Sequence, residues 1–361
     1  MTSPATDLSS RWTPDILGTG YSQLSLDLGT DPDGEGRIQA VVVRRDAQPA
    51  DDVAGAVLYL HGFSDYFFQT DLADHFAQSG LAFYALELRK CGRARRSGHT
   101  AHYVSDLAYY DDELERTIGL INEEHSGLPI YVVAHSTGGL VSALWLDRRR
   151  RENRPGTVAG LILNSPWLDL HGSAVMRGPV TWALRALAKV RPMRRMDLPA
   201  STTYSDSLHA QAKGEWSYDL QLKPAGGFPV TVGWLNAIRR GHARLHRGLD
   251  IGVPALVLHS DKTHYSRAYN DKADRADTIL DVNQISQWAS CLGIRTTVVP
   301  IEDARHDVFL SLPEIRYRAY AHVQAWLVEQ SAGAIRHRPS HLTARSDVTT
   351  GSAPVSGQSQ P

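Results

Sequence analysis

The chain has 361 residues, of which 42% are hydrophobic and 21% charged, and its formal net charge is −1. This composition is typical of a globular protein with a sizeable core, and the balanced charge argues against nucleic acid or an anionic membrane as a partner. Two cysteines, Cys91 and Cys291, are too few for a disulfide framework and have no neighbours at zinc-ligand spacing. No stretch approaches the roughly 18 to 20 apolar residues of a membrane span. We therefore expect a cytoplasmic protein that uses neither a metal nor a cofactor.

The chain alternates between predicted strands and helices. Residues 1–12 are polar and are predicted to form a flexible tail. The turn "TDPDGEG", residues 30–36, separates two alternating segments and predicts an antiparallel hairpin. Near-continuous apolar runs, typical of strands buried on both faces, then follow in the order "GAVLYLHG", "LAFYALELR", "PIYVVAH", "VAGLILNSPW", "VPALVLHS" and "IRTTVVPI". Apolar residues spaced three and four apart predict helices between these runs.

This alternation predicts an α/β protein with a doubly wound, mostly parallel, eight-stranded sheet. Residues 13–170 and 251–330 are expected to form this core. Residues 171–250 interrupt the pattern, because they contain helix-like runs but no good strand candidate. We interpret them as a helical cap over the carboxyl edge of the sheet. Residues 331–361 are rich in Ser, Thr, Gly and Pro and are predicted to be a disordered tail.

The stretch "YVVAHSTGG", residues 131–139, contains the first candidate catalytic residue. Ser136 follows a predicted buried strand and precedes a predicted helix, which is the context of a nucleophile elbow. Such a turn needs small residues two positions on either side of the serine. Gly138 meets this need, and Ala134 stands where glycine is usual. On this stretch alone, a serine that merely caps the helix is an equally good interpretation.

Two further segments supply what a nucleophilic serine requires. "VLYLHGF", residues 57–63, predicts a strand and a loop whose Phe63 N–H, together with the N–H of Thr137, would stabilise an oxyanion. His61 is expected to order this loop, because it comes too early in the chain for the catalytic base. His306, just past the last predicted strand, is the candidate base.

The carboxylate that would orient His306 has two main candidates, with Asp271, Asp274 and Asp281 as nearby competitors. Asp261 directly follows the strand "PALVLHS", where the acid of such sheets is expected. Asp277 comes sixteen residues later, just before a predicted helix. Proximity to the strand favours Asp261, and the residues themselves leave the choice open.

Taken together, these residues resemble the α/β-hydrolase superfamily, and within it the branch of monoacylglycerol lipases, lysophospholipases and serine-aminopeptidase-like hydrolases. The resemblance spans about residues 37–330 and rests on "LYLHGFSDY", "HYVSDLAYYDDELERTI", "VVAHSTGG", "LILNSPWLDL", the cap and "ARHDVFLS". It favours Asp277 as the acid, because "ADTILD" matches the family pattern Ala-Asp-x-x-x-Asp. The chain departs from the family at Ala134, at Lys90 in place of a glycine, and in an insertion before Asp277.

The resemblance implies a serine hydrolase that cleaves a lipid-like ester, a monoacylglycerol or a lactone through an acyl-enzyme on Ser136. A peptidase, an amidase or an acyltransferase with the same triad are the alternatives, and an inactive hydrolase fold that only binds is a further one. Aromatic residues of the cap would line an apolar pocket or pack the cap on the core. Together with a histidine beside the nucleophile, the candidate pocket residues are His135, Trp182, Trp216 and Trp234.

Overall fold

A computed structural model describes residues 11–47, 53–154, 156–170, 179–197 and 201–336. A single twisted sheet organises this part of the chain, with the spatial strand order β1-β2-β3-β5-β4-β6-β7-β8-β9. The strands are β1 (Thr13–Pro14), β2 (Tyr21–Thr30), β3 (Arg37–Arg45), β4 (Gly55–Leu60), β5 (Leu81–Glu87), β6 (Ile130–His135), β7 (Val158–Asn164), β8 (Ala255–Ser260) and β9 (Thr296–Ile301).

The sheet is mostly parallel, as predicted, and carries an antiparallel edge. β2 and β3 form the predicted hairpin, with Tyr21 opposite Arg45 and Thr30 opposite Arg37. β3 pairs antiparallel with β5, and every pair from β5 to β9 is parallel. The described sheet has nine strands where eight were predicted, because the two-residue β1 adds to the β2 edge. Two residues are too few to carry a periodic signal.

Helices cover both faces of the sheet. They are α1 (Thr70–Gln78), α2 (Asp111–Glu124), α3 (Thr137–Arg151), α4 (Pro179–Val190), α5 (Thr203–Leu208), α6 (Val232–Leu245), α7 (Val282–Ala289) and α8 (Pro313–Arg336). Alternate residues of β4 enter different cores, with Leu58 and Leu60 on one face and Val57 and Tyr59 on the other. This two-sided burial explains why the strand reads as a continuous apolar run. Among the described helices, none combines the length and the apolar character needed to cross a membrane.

The segment predicted as a cap contains α4, α5 and α6 and lies in the chain between β7 and β8. The helix α6 packs against α3 of the core and against α4. It begins at Thr231, whose side chain accepts the N–H of Trp234 and so caps the helix. Trp182 belongs to α4, but its side chain lies outside the described residues.

Both ends of the described chain differ slightly from the predicted boundaries. Trp12 packs on the core, because its indole N–H donates to Glu124 (2.8 Å) and the guanidinium of Arg44 lies over its ring. The last helix runs to Arg336, past the predicted core limit at residue 330. The remaining parts of both predicted tails, residues 1–10 and 337–361, lie outside the described residues.

Candidate active site

Ser136 occupies a sharp turn between β6 and α3. Its backbone is in the left-handed region, with φ 52° and ψ −116°, a conformation that costs a residue with a side chain about 1 to 3 kcal/mol. Backbone bonds hold it there, since its N–H donates to Asn164 O and its carbonyl accepts from Trp167 N, both at 3.0 Å. The Ser136 side chain accepts no bond from the helix N-terminus. The helix-capping interpretation is therefore wrong, and the hydroxyl remains available for chemistry.

The turn is tight, and its neighbours show why small residues are needed. A Cβ at Gly138 would lie 2.5 Å from the carbonyl oxygen of His61, and one at Gly62 would lie 3.1 Å from Cβ of Ser136. Ala134, the departure from the family pattern, is fully buried in β6 and lies beside Leu60 of β4. Its methyl group is accommodated, so the alanine does not prevent the turn.

Two backbone N–H groups beside Ser136 lack acceptors. Neither the N–H of Phe63, after β4, nor that of Thr137, at the start of α3, has a hydrogen-bond partner within the part of the chain described. Both residues line the cavity that contains Ser136. His61 lies behind the loop and accepts the N–H of Leu88 at Nε2 (3.2 Å), so its ring orders the backbone here. Free N–H groups at a helix start and a neighbouring loop can stabilise a developing oxyanion.

Asp277 and His306 form a buried pair. Oδ2 of Asp277 lies 2.8 Å from Nδ1 of His306, and both residues are almost completely inaccessible, at 0% and 2% exposure. The other carboxylate oxygen, Oδ1, accepts the N–H groups of Ile279 (2.8 Å) and Leu280 (2.7 Å). These two bonds fix the rotation of the carboxylate, so that one oxygen always faces the imidazole. The structure thus brings the second of the two candidate acids to His306.

The first candidate, Asp261, lies elsewhere. Its Oδ1 accepts the N–H of Asp303 (2.8 Å), its Oδ2 lies 3.6 Å from Nζ of Lys262, and its side chain is 33% exposed. The path of the inserted segment explains why Asp277, and not Asp261, lies beside His306. The chain leaves the end of β8, and Asp277 returns to donate its N–H to Lys262 O (2.9 Å) and accept from His264 N (2.8 Å). Asp277 is therefore next to the strand end in space, although it is sixteen residues from Asp261 in sequence.

A cavity of about 630 Å³ lies over Ser136 and His306 and is roofed by residues of the cap. Two of the predicted pocket residues, His135 and Trp234, line it. Burial lowers the pKa of His135 to about 4, so this imidazole is neutral at neutral pH. Its Nδ1–H donates to Asn164 O (3.2 Å), and its ring centroid is 4.8 Å from that of His306. It adds bulk but no charge beside the candidate base.

Trp216, a third predicted pocket residue, is placed differently. Its indole N–H donates to the carbonyl of Leu310 (3.1 Å), and the guanidinium of Arg316 lies 4.9 Å from its ring centroid. These contacts pack the cap onto the core away from the cavity wall. Among the described residues, no group of three His, Cys, Asp or Glu side chains is arranged to hold a metal ion.

Asn164 is a site residue that the sequence did not reveal. It ends β7, and its Nδ2 donates to Asp307 Oδ1 (2.6 Å) while its Oδ1 accepts the N–H of Val308 (3.0 Å). Its backbone carbonyl also accepts the N–H of Ser136 (3.0 Å). One fully buried side chain thereby links the loop after His306 to the strand beside Ser136. An asparagine in "LILNSPW" carries no motif that would have indicated this role.

We predict that Asn164→Ala destabilises the protein by about 2 kcal/mol and lowers turnover by about ten- to a hundredfold. The buried N–H of Val308 would lose its acceptor, and the His306 loop would lose its anchor. Urea unfolding and steady-state kinetics measure the two effects. The exposed Asn283→Ala serves as the matched control and should leave both unchanged. Native stability and native turnover in Asn164→Ala would contradict the anchoring role.

Comparisons with known proteins concern the family and the fold of the chain. Residues 51–279 match the model of a family described as serine aminopeptidase, S33. The chain is 26% identical to a monoacylglycerol lipase of Mycolicibacterium smegmatis over 216 residues, which are 59% of this chain and 72% of that protein. It is also 26% identical to a monoglyceride lipase of Saccharomyces cerevisiae over 203 residues, 55% of this chain and 59% of the yeast protein.

A solved structure resembles the whole architecture. The crystal structure of a soluble variant of the yeast monoglyceride lipase, in complex with a substrate analog, matches with a TM-score of 0.61 at 18% identity. The match covers 84% of this chain and 94% of that one. At this level of identity the likeness concerns the fold, which is that of the α/β hydrolases.

Proposed function

The chain belongs to the serine aminopeptidase family, S33, of the α/β-hydrolase superfamily, and we propose that it hydrolyses carboxylic esters through an acyl-enzyme on Ser136. One observation carries this proposal. A strained serine, a histidine held by a buried carboxylate, and two backbone N–H groups that have no acceptor among the described residues surround one cavity. These are the parts of an acyl-transfer site, namely a nucleophile, an oriented base and an oxyanion-binding pair.

Acylation begins at the hydroxyl of Ser136. His306 removes its proton at Nε2 as Oγ bonds to the ester carbonyl carbon, and the carbonyl electrons move onto oxygen. The carboxylate of Asp277 keeps the other imidazole proton on Nδ1 and stabilises the imidazolium. The N–H groups of Phe63 and Thr137 bind the oxyanion, and each well-placed donor contributes about 3 to 4 kcal/mol to the transition state.

The remaining steps return the enzyme to its starting state. The tetrahedral adduct collapses, the bond to the alcohol oxygen breaks, and that oxygen takes the proton from His306. Water then attacks the acyl-enzyme and gives a proton to the same imidazole. The carboxylic acid leaves, and Ser136 regains its hydroxyl proton.

The cavity supports an apolar acyl group. Its volume of about 630 Å³ suits a small lipid-like ligand, and aromatic and aliphatic side chains form much of its wall. Those side chains include Phe63, Trp167, Phe228, Trp234, Ile279 and Leu280. The named relatives are lipases of monoacylglycerols. We therefore propose a lipid-like ester, a monoacylglycerol or a lactone as the substrate class.

A peptide substrate is less well supported. An aminopeptidase needs a free carboxylate in the cavity to bind the substrate ammonium group. Of the acidic residues that line this cavity, Asp65 is already bonded to Lys223 (2.6 Å), and Asp197 is exposed, so solvent would screen its attraction for an ammonium group. The geometry therefore favours esters over peptides within this family.

A substrate series tests the proposal. We expect p-nitrophenyl esters to be cleaved, with kcat/KM rising up to about fourfold per added methylene until the cavity is filled, because each buried CH₂ contributes about 0.8 kcal/mol. Monoacylglycerols, lactones and aminoacyl p-nitroanilides complete the series. Faster cleavage of the anilides than of the esters would identify a peptidase. Ester formation with an added alcohol in preference to hydrolysis would identify an acyltransferase, and the lack of any turnover would indicate a binding protein.

A further inference from the structure

Three consecutive residues after Phe63 are bonded to one segment of the cap. The hydroxyl of Ser64 accepts the N–H of Phe228 (2.6 Å). The carboxylate of Asp65 binds Nζ of Lys223 (2.6 Å). Next, Tyr66 Oη accepts the N–H of Asp219 (2.7 Å). The loop that carries the candidate oxyanion donor is therefore held from outside the sheet, by cap residues 219–228.

The ion pair is the most deeply buried of these three links. The side chains of Lys223 and Asp65 are 8% and 2% exposed, and both line the cavity over Ser136. Burial by itself would raise the pKa of Asp65, but Lys223 outweighs it and holds the pKa below its usual value. The side chain of Asp65 is thus a carboxylate at neutral pH. Removing one partner of such a pair leaves an uncompensated buried charge.

Aromatic rings fix the ammonium group from the other side. Its nitrogen lies 5.6 Å from the ring centroids of both Phe68 and Tyr204, and 5.8 Å from that of Tyr218. Cations at these distances are attracted by the ring faces. Tyr204 in turn lies edge-on to His306, with centroids 5.5 Å apart. Lys223 of the cap therefore contacts both Tyr204, whose ring packs on His306, and the loop after β4 that carries Phe63. We call this loop the oxyanion loop.

The oxyanion loop has a reason to need such support. Ser64 has a positive φ of 53°, a conformation that persists in a serine only when its surroundings impose it. Phe63 precedes it directly, so relaxation at Ser64 would rotate the peptide plane between the two residues and shift the backbone of Phe63, which carries the proposed donor N–H. The strain lies one residue from the proposed donor, and the cap contacts lie on the strained residue and on its neighbour.

We propose that Lys223 is a positioning residue for the oxyanion hole: its bond to Asp65 makes the seating of the cap a condition for the correct placement of the Phe63 N–H. This inference rests on the proposed function, since it assigns a role within the same site. Lys223 itself touches no reacting atom. It acts through the oxyanion loop. It thereby links the cap, which would select the substrate, to the Phe63 N–H, which would stabilise the transition state.

Kinetics of Lys223→Met test this role. We expect kcat to fall about ten- to a hundredfold while KM changes little, because a misplaced oxyanion donor weakens the transition state alone. The inhibition constant of an alkyl trifluoromethyl ketone, whose adduct with Ser136 carries an oxyanion, should rise by the same factor as kcat/KM falls. A rise in KM with kcat unchanged would overturn the proposal, since it would mean that Lys223 only contributes to substrate binding.

Two further variants serve as controls. Arg240→Ala removes another link between cap and core, the ion pair to Asp106 (2.9 Å), and should leave the kinetics as in the native protein. Because Lys223→Met leaves a buried carboxylate unpaired, the double variant Asp65→Asn/Lys223→Met removes both charges and keeps the fold testable. The double variant should show the same loss in kcat. Native kcat in the folded double variant would overturn the proposal.

Hydrogen exchange separates this inference from the proposed function. Backbone amides of residues 61–67 should exchange faster in Lys223→Met, or in the double variant, whereas residues 303–310 around His306 should exchange as in the native protein. This measurement requires no turnover. Unlabelled native protein after fluorophosphonate treatment would contradict the proposed function, while native exchange at residues 61–67 would contradict the coupling.

Discussion

Replacing Ser136 with alanine is expected to lower ester turnover by about 10⁶-fold and to abolish labelling by a fluorophosphonate probe. The hydroxyl is the atom that would bond to the acyl group, and no other side chain occupies its place in the turn between β6 and α3. The left-handed backbone of Ser136 holds that hydroxyl out of the helix hydrogen-bond pattern. Its removal should leave the turn intact, because the backbone bonds to Asn164 and Trp167 do not involve the side chain.

Mass spectrometry of the labelled protein and steady-state kinetics measure these two effects. The matched control is Ser142→Ala, which removes a buried serine hydroxyl of α3, the helix that follows Ser136, where the hydroxyl donates to the carbonyl of Gly139 (3.1 Å). That variant should be labelled and active like the native protein. A thermal melt establishes that Ser136→Ala is folded. Labelling that persists in folded Ser136→Ala would show that the nucleophile is a different residue.

The strands and the tight turn at Ser136 were predictable because their signals are local, whereas the role of Ser136 depended on segments further along the chain. A parallel strand buried on both faces needs apolar residues at nearly every position, and a tight turn needs small ones. Consecutive residues around Ser136 meet both requirements. The position of His306 was predictable for a related reason, since the loop after the last strand of such a sheet returns to the same edge.

The acid and the cap residues were harder to predict because they depend on the path of loops. The spacing between Asp261 and Asp277 does not indicate that the intervening segment leaves the sheet and returns. The structure shows the return, because the N–H of Asp277 donates to the carbonyl of Lys262. The same holds for the cap tryptophans. Trp234 lines the cavity and Trp216 bonds to the core, and this difference follows from how the cap packs rather than from residue type.

Lys90 illustrates how a departure from a family pattern can be compensated by distant residues. The position has φ 60°, which a glycine would adopt without strain. Here the lysine ammonium is fully buried and binds the carboxylates of Asp31 (2.7 Å) and Glu35 (2.9 Å). Both acids belong to the turn of the β2–β3 hairpin. The lysine is more strained than a glycine would be at this position, but its ion pairs connect the loop after β5 to the turn of the β2–β3 hairpin. The family pattern alone could not reveal these contacts.

Asp277→Asn is expected to lower kcat by about 10⁴-fold with little change in KM. The hydrogen bonds of the carboxylate explain why. The N–H groups of Ile279 and Leu280 require an acceptor, so the amide oxygen of the asparagine would face them and its NH₂ group would face His306. Two donors cannot face each other, and the imidazole would move its proton from Nδ1 to Nε2. A protonated Nε2 cannot accept the proton of Ser136, so the base would be lost although the ring remains in place.

Asp261→Asn is the matched control, because it makes the same chemical change in an aspartate at the end of the same strand. Its bond from the N–H of Asp303 survives in an asparagine, and its partly exposed ion pair to Lys262 contributes little. We expect native turnover from it. A large loss of turnover in Asp261→Asn together with native turnover in Asp277→Asn would show that the acid is Asp261 and that our assignment to Asp277 is wrong. It would also require the loop of residues 262–277 to rearrange during catalysis, because only Asp277 reaches His306 in its present path.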